Sequence, residues 1–150
     1  MEKNVNMKPY IANKPHPDNS YTKNLIAFLD RYGQGDKLLE DLTLIAQLPE
    51  NKANEIVSYF LELACQAQAA SNINNGRYCL QNLPREWLMQ RIEILLEPLL
   101  ALDDEWEYWR LELYSSLDDK TLAVKLANRA NVHPDPAIKE AGGDFLEYLG

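Results

Sequence analysis

The segment "DDEWEYWRLELYSSL", residues 103–117, combines two tryptophans and two tyrosines with five acidic residues. At about 100° per residue, Trp106, Trp109, Leu113 and Leu117 fall within about 80° of one another on a helical wheel. Aromatic residues at helical spacing bury large areas, so we interpret both tryptophans as packing residues rather than as ligand contacts. The segment therefore predicts an amphipathic helix that packs against its neighbours.

The outer face of this predicted helix carries the candidate binding residues. Tyr108 and Leu111 lie opposite the apolar stripe. Glu107 flanks the stripe, and Arg110 lies at its edge. We expect these four residues to contact a protein partner. Arg110 also has a structural interpretation, because an arginine beside aromatic rings can pair with a carboxylate such as Asp103 and stabilise the fold.

A similar apolar pattern recurs thirty-two residues further along the chain. Counted from Asp103 and from Asp135, the offsets 3, 10, 11 and 14 are apolar in both segments. The matching residues are Trp106, Leu113, Tyr114 and Leu117 in the first segment, and Ile138, Phe145, Leu146 and Leu149 in the second. This repeat predicts two helix hairpins, 84–102 with 103–117 and 119–131 with 135–149, of the kind that stack in helical solenoids.

Two C-terminal segments also carry a family resemblance. "LLEPLLALDDEWEYWRLELYSSL", residues 95–117, has a proline in its first helix, an acidic turn and the step Trp109-Arg110 in its second helix. "HPDPAIKEAGGDFLEYL", residues 133–149, begins its helix with Asp-Pro. Both resemble HEAT repeats, with Lys139 where the family usually has arginine. The resemblance implies an all-α fold: a short right-handed stack of antiparallel helix hairpins, a HEAT-like α-solenoid.

The shorter segments "WEYWR" (106–110) and "IKEAGGDFL" (138–146) are similar to parts of small uncharacterised bacterial helical proteins. Some of those proteins are regarded as immunity proteins against toxins. This second resemblance implies a function in which the chain binds and neutralises another protein.

Apolar periodicity predicts helices along most of the remaining chain. The predicted helices cover residues 20–32, 36–46, 51–70, 82–102, 103–117, 119–131 and 135–149. The expected N-cap residues include Ser20, Asp36 and Asp135, because their side-chain oxygens can accept a hydrogen bond from the first turn. Pro136 follows Asp135 at the first helical position, which proline favours.

Two features interrupt this helical pattern. Asn75-Gly76 is a turn signal, so residues 71–82 are predicted to form a loop with at most one helical turn. Pro98 removes a hydrogen bond inside the helix predicted over residues 82–102, so we expect that helix to kink or restart there.

The N-terminal residues 1–19 are predicted to be a flexible polar tail. Pro9, Pro15 and Pro17 oppose regular helix, and the apolar residues are too few to offset the entropy of ordering. Residues 20–150 are predicted to form a single all-helical domain, as expected from a chain of 150 residues.

Charge and composition limit the kinds of partner. The formal net charge is -8, and residues 36–150 hold ten Lys and Arg against twenty Asp and Glu. Nucleic-acid binding depends on cationic side chains, so we expect no nucleic acid and instead a basic protein partner. No run of about 18 uncharged apolar residues and no signal-peptide core occurs, so we expect no membrane association and a cytoplasmic location.

No constellation of residues in the sequence specifies catalysis or a cofactor. His16 lies in the predicted tail and His133 lies in a turn. Cys65 and Cys79 each lie among apolar residues, so we expect buried, inert, reduced thiols. Asp103, Asp104 and Glu105 mark a helix start rather than a cation loop. We therefore expect no catalytic residue, no cofactor and no metal.

Two functional hypotheses remain. The first is a non-catalytic protein-protein interaction module, and an immunity protein that neutralises a toxin is one concrete form of it. The alternative is a small-molecule or chromophore-binding helical protein with lyase-like activity, since HEAT-like proteins include chromophore lyases. Its ligand pocket would lie between helix hairpins and be lined by Arg77, Tyr78, Trp87 and Arg110.

Overall fold

The regular secondary structure of the described residues is entirely helical. The computed structural model describes residues 12–65, 70–100, 120–132 and 134–149. These residues contain no strand, so the predicted all-α class is confirmed. Their elements are α1 (Ser20–Leu29), α2 (Gly35–Glu40), a 3-10 helix (Leu42–Gln47), α3 (Glu50–Cys65), α4 (Ala70–Gln81), α5 (Arg85–Met89), α6 (Ile92–Leu100), α7 (Lys120–Asn131) and α8 (Pro136–Leu149).

The chain divides into two compact units. Ala12–Leu99 form one unit, and α7 and α8 belong to the other. The core of the first unit consists of fully buried apolar side chains from most of its helices: Leu25, Leu29, Ile45, Ile56, Phe60, Leu61, Leu80, Leu88, Ile92 and Leu96. The single domain predicted over residues 20–150 and the flexibility predicted for residues 1–19 stay predictions.

The start of α1 is fixed by Asn19. Its Oδ1 accepts a hydrogen bond from the backbone N–H of Tyr21 at 2.8 Å. Asn19 is therefore the N-cap, and Ser20, the predicted cap, is the first helical residue. Leu25 and Leu29, one helical turn apart, are fully buried as their spacing predicts. On this buried side α1 packs against α2 and α4.

The single helix predicted over residues 36–46 is wrong, because two short elements replace it. α2 ends at Glu40, and a 3-10 helix begins after Asp41. Asp41 Oδ1 accepts a hydrogen bond from the backbone N–H of Thr43 at 3.2 Å and another from its hydroxyl. An aspartate bonded to the backbone two residues on competes with helical structure. Asp36, the predicted cap, lies in the first turn of α2.

The third predicted helix has the expected core but a different end. Ile56, Phe60 and Leu63 are buried, as the predicted stripe requires. The described part of this helix, α3, ends at Cys65, and Ala70 at the end of the stripe belongs to α4 instead.

The loop predicted over residues 71–82 is also wrong, because these residues form most of α4. Gly76 lies where α4 closely crosses α3, and this crossing explains why a glycine is present. A Cβ at Gly76 would lie 2.5 Å from the backbone nitrogen of Ala64 and 2.7 Å from the carbonyl oxygen of Phe60. Only glycine fits against these backbone atoms, so a residue pair that indicates a turn locally is required here by packing.

The helix predicted over residues 82–102 is divided, but not at the expected place. α5 and α6 are separated by Gln90 and Arg91, and α6 continues past Pro98 to Leu100. The backbone N–H of Arg91 donates to the carbonyl of Leu88 at 3.1 Å, which is the tighter three-residue bond that ends many helices.

The hairpin predicted between helices 119–131 and 135–149 is confirmed, since α7 and α8 pack against each other. Asp135 Oδ1 accepts hydrogen bonds from the backbone N–H groups of Ala137 at 2.9 Å and Ile138 at 3.3 Å. Asp135 is therefore the N-cap and Pro136 the first residue of α8, as the sequence predicts.

The crossing of α7 and α8 repeats the contact between α3 and α4. A Cβ at Gly142 would lie 2.5 Å from the nitrogen of Asn131 and 2.7 Å from the carbonyl oxygen of Ala127. In both hairpins the glycine faces the nitrogen and the carbonyl oxygen of residues four apart on the partner helix, which are the two ends of one helical hydrogen bond.

The other predicted hairpin and the stacking of hairpins stay predictions. Residues 103–117, which include Trp106 and Trp109, lie outside the described residues. The right-handed HEAT-like arrangement therefore stays a prediction.

Candidate functional site

The partner-binding residues predicted from the sequence are Glu107, Tyr108, Arg110 and Leu111. All four lie outside the described residues, so the structure places none of them.

Three aromatic residues meet at the surface between the end of α1 and the middle of α3. The rings of Phe28 and Tyr59 are stacked, with centroids 3.8 Å apart and an interplanar angle of 17°. Tyr32 follows α1, and its ring centroid lies 5.5 Å from that of Phe28 at an angle of 54°. Each of the three side chains is half-buried. We call Phe28, Tyr32 and Tyr59 the aromatic cluster.

Charged side chains border the aromatic cluster. The guanidinium carbon of Arg31 lies 5.3 Å from the centroid of the Phe28 ring, within the range of a cation–π contact. The hydroxyl of Tyr32 donates a hydrogen bond to Glu55 Oε2 at 2.8 Å. Arg31 and Glu55 are themselves exposed. The surface thus combines apolar ring area with charges of both signs.

Burial and neighbouring carboxylates raise the pKa of both phenols of the cluster. Burial raises the pKa of Tyr59 above its ordinary value, and the carboxylate of Glu62 raises it further. Burial also raises the pKa of Tyr32, with a second contribution from its hydrogen bond to Glu55. Both hydroxyls therefore keep their protons to a higher pH than an ordinary tyrosine does.

Sequence reasoning did not identify this cluster. Phe28 is part of the apolar stripe predicted for the first helix, where it counts as a core residue. Tyr59 precedes the buried Phe60 and lies off the stripe of α3. The available signal was the position of Tyr59 between Glu55 and Glu62, each one turn away, because acidic neighbours on both sides indicate an aromatic ring near solvent.

Trp87 and Arg91 form a second aromatic contact. The guanidinium carbon of Arg91 lies 3.7 Å from the centroid of the Trp87 ring. Its Nη2 lies 3.9 Å from Glu50 Oε1, and its side chain is 13% exposed. These distances describe a packed side chain that ties the α5–α6 junction to the start of α3.

The ligand pocket of the alternative hypothesis involves residues with different environments. Arg77 is 2% exposed and lies on α4, whereas Tyr78 and Trp87 are half-buried. Arg110 lies outside the described residues. The pocket therefore stays a prediction, and Arg77 belongs to the interior of its unit.

The described residues offer little for catalysis or metal binding. Cys65 and Cys79 are both buried, as predicted, and neither forms a disulfide bond. Burial raises the pKa of the Cys79 thiol far above its ordinary value, so it is not a nucleophile at neutral pH. His16 is exposed, and its Nδ1 accepts a hydrogen bond from the backbone N–H of Asp18. No group of three or more His, Cys, Asp or Glu among the described residues could hold a metal ion.

Comparisons with known proteins add no relative. No protein-family model, no curated protein sequence and no solved structure matches this chain. Among the described helices, none combines the length and the apolar character needed to cross a membrane.

Proposed function

We propose that this chain is a non-catalytic protein-binding module that binds its partner through the aromatic cluster. The observation that carries the proposal is the stacked pair of Phe28 and Tyr59, which remains half-exposed at the surface. Tyrosine and arginine are enriched among the residues that dominate binding energies at protein interfaces. Here Tyr32, Tyr59 and Arg31 lie together.

The cluster is suited to act as an anchor because its rings are already held in place. Phe28 contacts Tyr59 on one side and Tyr32 on the other. Tyr32 is fixed further by its hydrogen bond to Glu55. Side chains that are ordered before binding lose less conformational entropy when a partner covers them, and this increases affinity.

The partner is proposed to be basic. Glu55 and Glu62 lie beside the tyrosines, and the whole chain has a net charge of -8. Complementary charge increases the rate of encounter with a positively charged protein. An immunity protein that neutralises a basic toxin is the concrete form we propose, with the helix hairpins arranged as a HEAT-like stack.

The test is quantitative binding of the full chain to the partner that it retains from its native cell. Tyr59→Ala should raise the dissociation constant about 30-fold, which corresponds to a loss of about 2 kcal/mol in binding free energy, as expected for an interface anchor. Tyr21→Ala is the matched control, because Tyr21 is an exposed tyrosine on α1 outside the cluster, and it should change affinity by less than about twofold.

A double variant of the residues predicted from the sequence distinguishes that predicted binding site from the aromatic cluster. If the double variant Tyr108→Ala and Leu111→Ala loses the partner while Tyr59→Ala retains it, the aromatic cluster is not the binding site. Failure to retain any stoichiometric partner at both low and high salt would contradict the proposal as a whole. Thermal unfolding of each variant checks that the fold is intact.

A further inference from the structure

The four residues before the turn that leads into α1 bind to side-chain amides of α4. This segment, Ala12 to Pro15, belongs to no helix. The backbone N–H of Asn13 donates to Asn74 Oδ1 at 2.9 Å, and Asn74 Nδ2 donates to the carbonyl oxygen of Asn13, also at 2.9 Å. One amide group thus satisfies both backbone groups of one residue.

A second amide on α4 extends the contact. The backbone N–H of Ala12 donates to Gln81 Oε1 at 3.2 Å. Asn74 and Gln81 are seven residues apart, so they lie on the same face of α4 with about 10 Å of helix between them. Together they bind two consecutive residues through backbone atoms only.

Burial along the segment follows a simple pattern. Ala12 is 9% exposed and Pro15 is also buried, while Asn13 and Lys14 between them are exposed. The side chains at the first and fourth positions therefore provide the apolar contact, and the two between them face solvent. A small residue and a proline, separated by two exposed residues, thus occupy the buried positions of the segment.

We propose that this face of α4 is a binding site for a non-helical peptide with the pattern small-x-x-Pro, which residues 12–15 occupy within the same chain. The hydrogen bonds of Asn74 and Gln81 reach the peptide backbone, so they supply affinity without regard to sequence. The two buried positions supply the specificity. This site shares no residue with the aromatic cluster and does not depend on the function proposed for it.

The occupying segment also controls access to the site. A segment attached by a short linker acts at an effective concentration on the order of millimolar, so it competes with any peptide in solution. A partner segment of the same pattern binds only by displacing residues 12–15. The experiment therefore needs a chain in which this competitor has been removed.

The test uses the full-length double variant Ala12→Asp and Pro15→Asp, whose own segment should leave α4 because two carboxylates would otherwise be buried. The probe is a fluorescein-labelled peptide with the sequence of residues 10–19, measured by fluorescence anisotropy. We expect this variant to bind the probe at least tenfold more tightly than the unmodified chain. Adding Asn74→Ala should reverse the gain, whereas adding Asn72→Ala, on the same helix, should not.

Two results would overturn the proposal. One is a well-folded double variant that does not bind the probe, and the other is binding that survives Asn74→Ala unchanged. A second measurement covers the case in which the double variant does not fold. In the unmodified chain labelled with nitrogen-15, several millimolar unlabelled peptide should move the amide resonances of Ala12 and Asn13 to unfolded positions. Resonances that stay in place would equally contradict the proposal.

Discussion

Cys79 shows how strongly one residue can depend on its surroundings. It lies on α4 with no exposed surface, and burial raises the pKa of its thiol well above the ordinary value of 9.0. The thiolate, which is the reactive form, is therefore rare in the folded protein. A thiol reagent can therefore react with Cys79 only after local or global unfolding exposes the thiol.

Thiol labelling tests this conclusion directly. In Cys65→Ala, which leaves Cys79 as the one thiol, we expect labelling by a disulfide reagent at pH 8 to be at least about 100-fold slower in the folded protein than in guanidinium chloride. Equal rates in the two conditions would show that Cys79 is accessible. Cys79→Ala gives the corresponding measurement for Cys65, which is 2% exposed and should also be protected.

Capping residues show which local features a sequence can predict. Asp135 and Pro136 start α8 as predicted, because an N-cap and a first-turn proline act through bonds to immediate neighbours. Asn19 replaces Ser20 as the cap of α1, since both residue types can accept the same bond and only the backbone conformation decides between them. These two cap predictions, which depend on immediate neighbours, are thus correct to within one residue.

At the scale of elements, Gly76 and Gly142 are the residues on which both described hairpins depend. Each lies where its helix crosses the backbone of the preceding helix, with a Cβ position 2.5 Å from a backbone nitrogen. Gly143 differs, because among the described residues its Cβ position has only the Oδ1 of Asn131 nearby, at 3.3 Å. Two adjacent glycines in α8 therefore have different structural roles.

Alanine substitutions should separate these two roles. Ala favours helix over Gly by about 1 kcal/mol, so helix propensity alone would stabilise both variants. In Gly142→Ala the helices must move apart, and we expect a net loss of about 2 kcal/mol or more in the free energy of unfolding. In Gly143→Ala the Asn131 side chain can rotate away, so we expect no loss and a gain of up to about 1 kcal/mol.

Urea unfolding at neutral pH measures both effects. Gly76→Ala should resemble Gly142→Ala, because the clash with Ala64 and Phe60 is of the same kind. If Gly142→Ala and Gly143→Ala had the same stability, the close crossing of α7 and α8 would be wrong.

These glycines also explain why part of the fold could not be predicted. The sequence indicates helix wherever apolar residues recur at helical spacing, and α1, α3, α7 and α8 follow that rule. α4 does not, because Asn75-Gly76 indicates a turn by local preference while the close approach of α3 demands glycine there. Gly76 contacts α3 residues that are more than ten positions away in the sequence, so no local sequence pattern predicts this contact.

The aromatic cluster could be predicted only in part for a similar reason. Phe28 and Tyr32 are one turn apart, which correctly places them on one face of α1 and the turn after it. Their contact with Tyr59 depends on how α1 and α3 are placed, which is a property of the fold. The predicted site at residues 107–111 stays a prediction because it lies outside the described residues.

At the scale of the whole molecule, stability should depend on pH in the alkaline range. The pKa values of Tyr32, Tyr59 and Cys79 are all raised, in each case mainly by burial. In the unfolded chain these groups lose their protons near 10.0 for tyrosine and 9.0 for cysteine. Above those values the folded protein holds more protons than the unfolded chain, so the free energy of unfolding falls as pH rises.

A series of urea unfolding curves measures this dependence. We expect the midpoint to be constant from about pH 7 to 8 and to decrease steadily above about pH 9. Cys79→Ala should remove the part of the decrease in the urea midpoint that begins near pH 9. Cys65→Ala is the control, because it also removes a buried thiol. A midpoint that rose between pH 9 and 11 would contradict the assignment of these raised pKa values.

The glycine crossings have a final consequence for how such a protein can change over generations. The spacing of each hairpin depends on main-chain atoms, which are the same whatever residues surround them. Outward positions on α4 and α8 are therefore free to vary while the helices keep their separation. A lineage built on this scaffold could exchange one binding preference for another without rebuilding its interior.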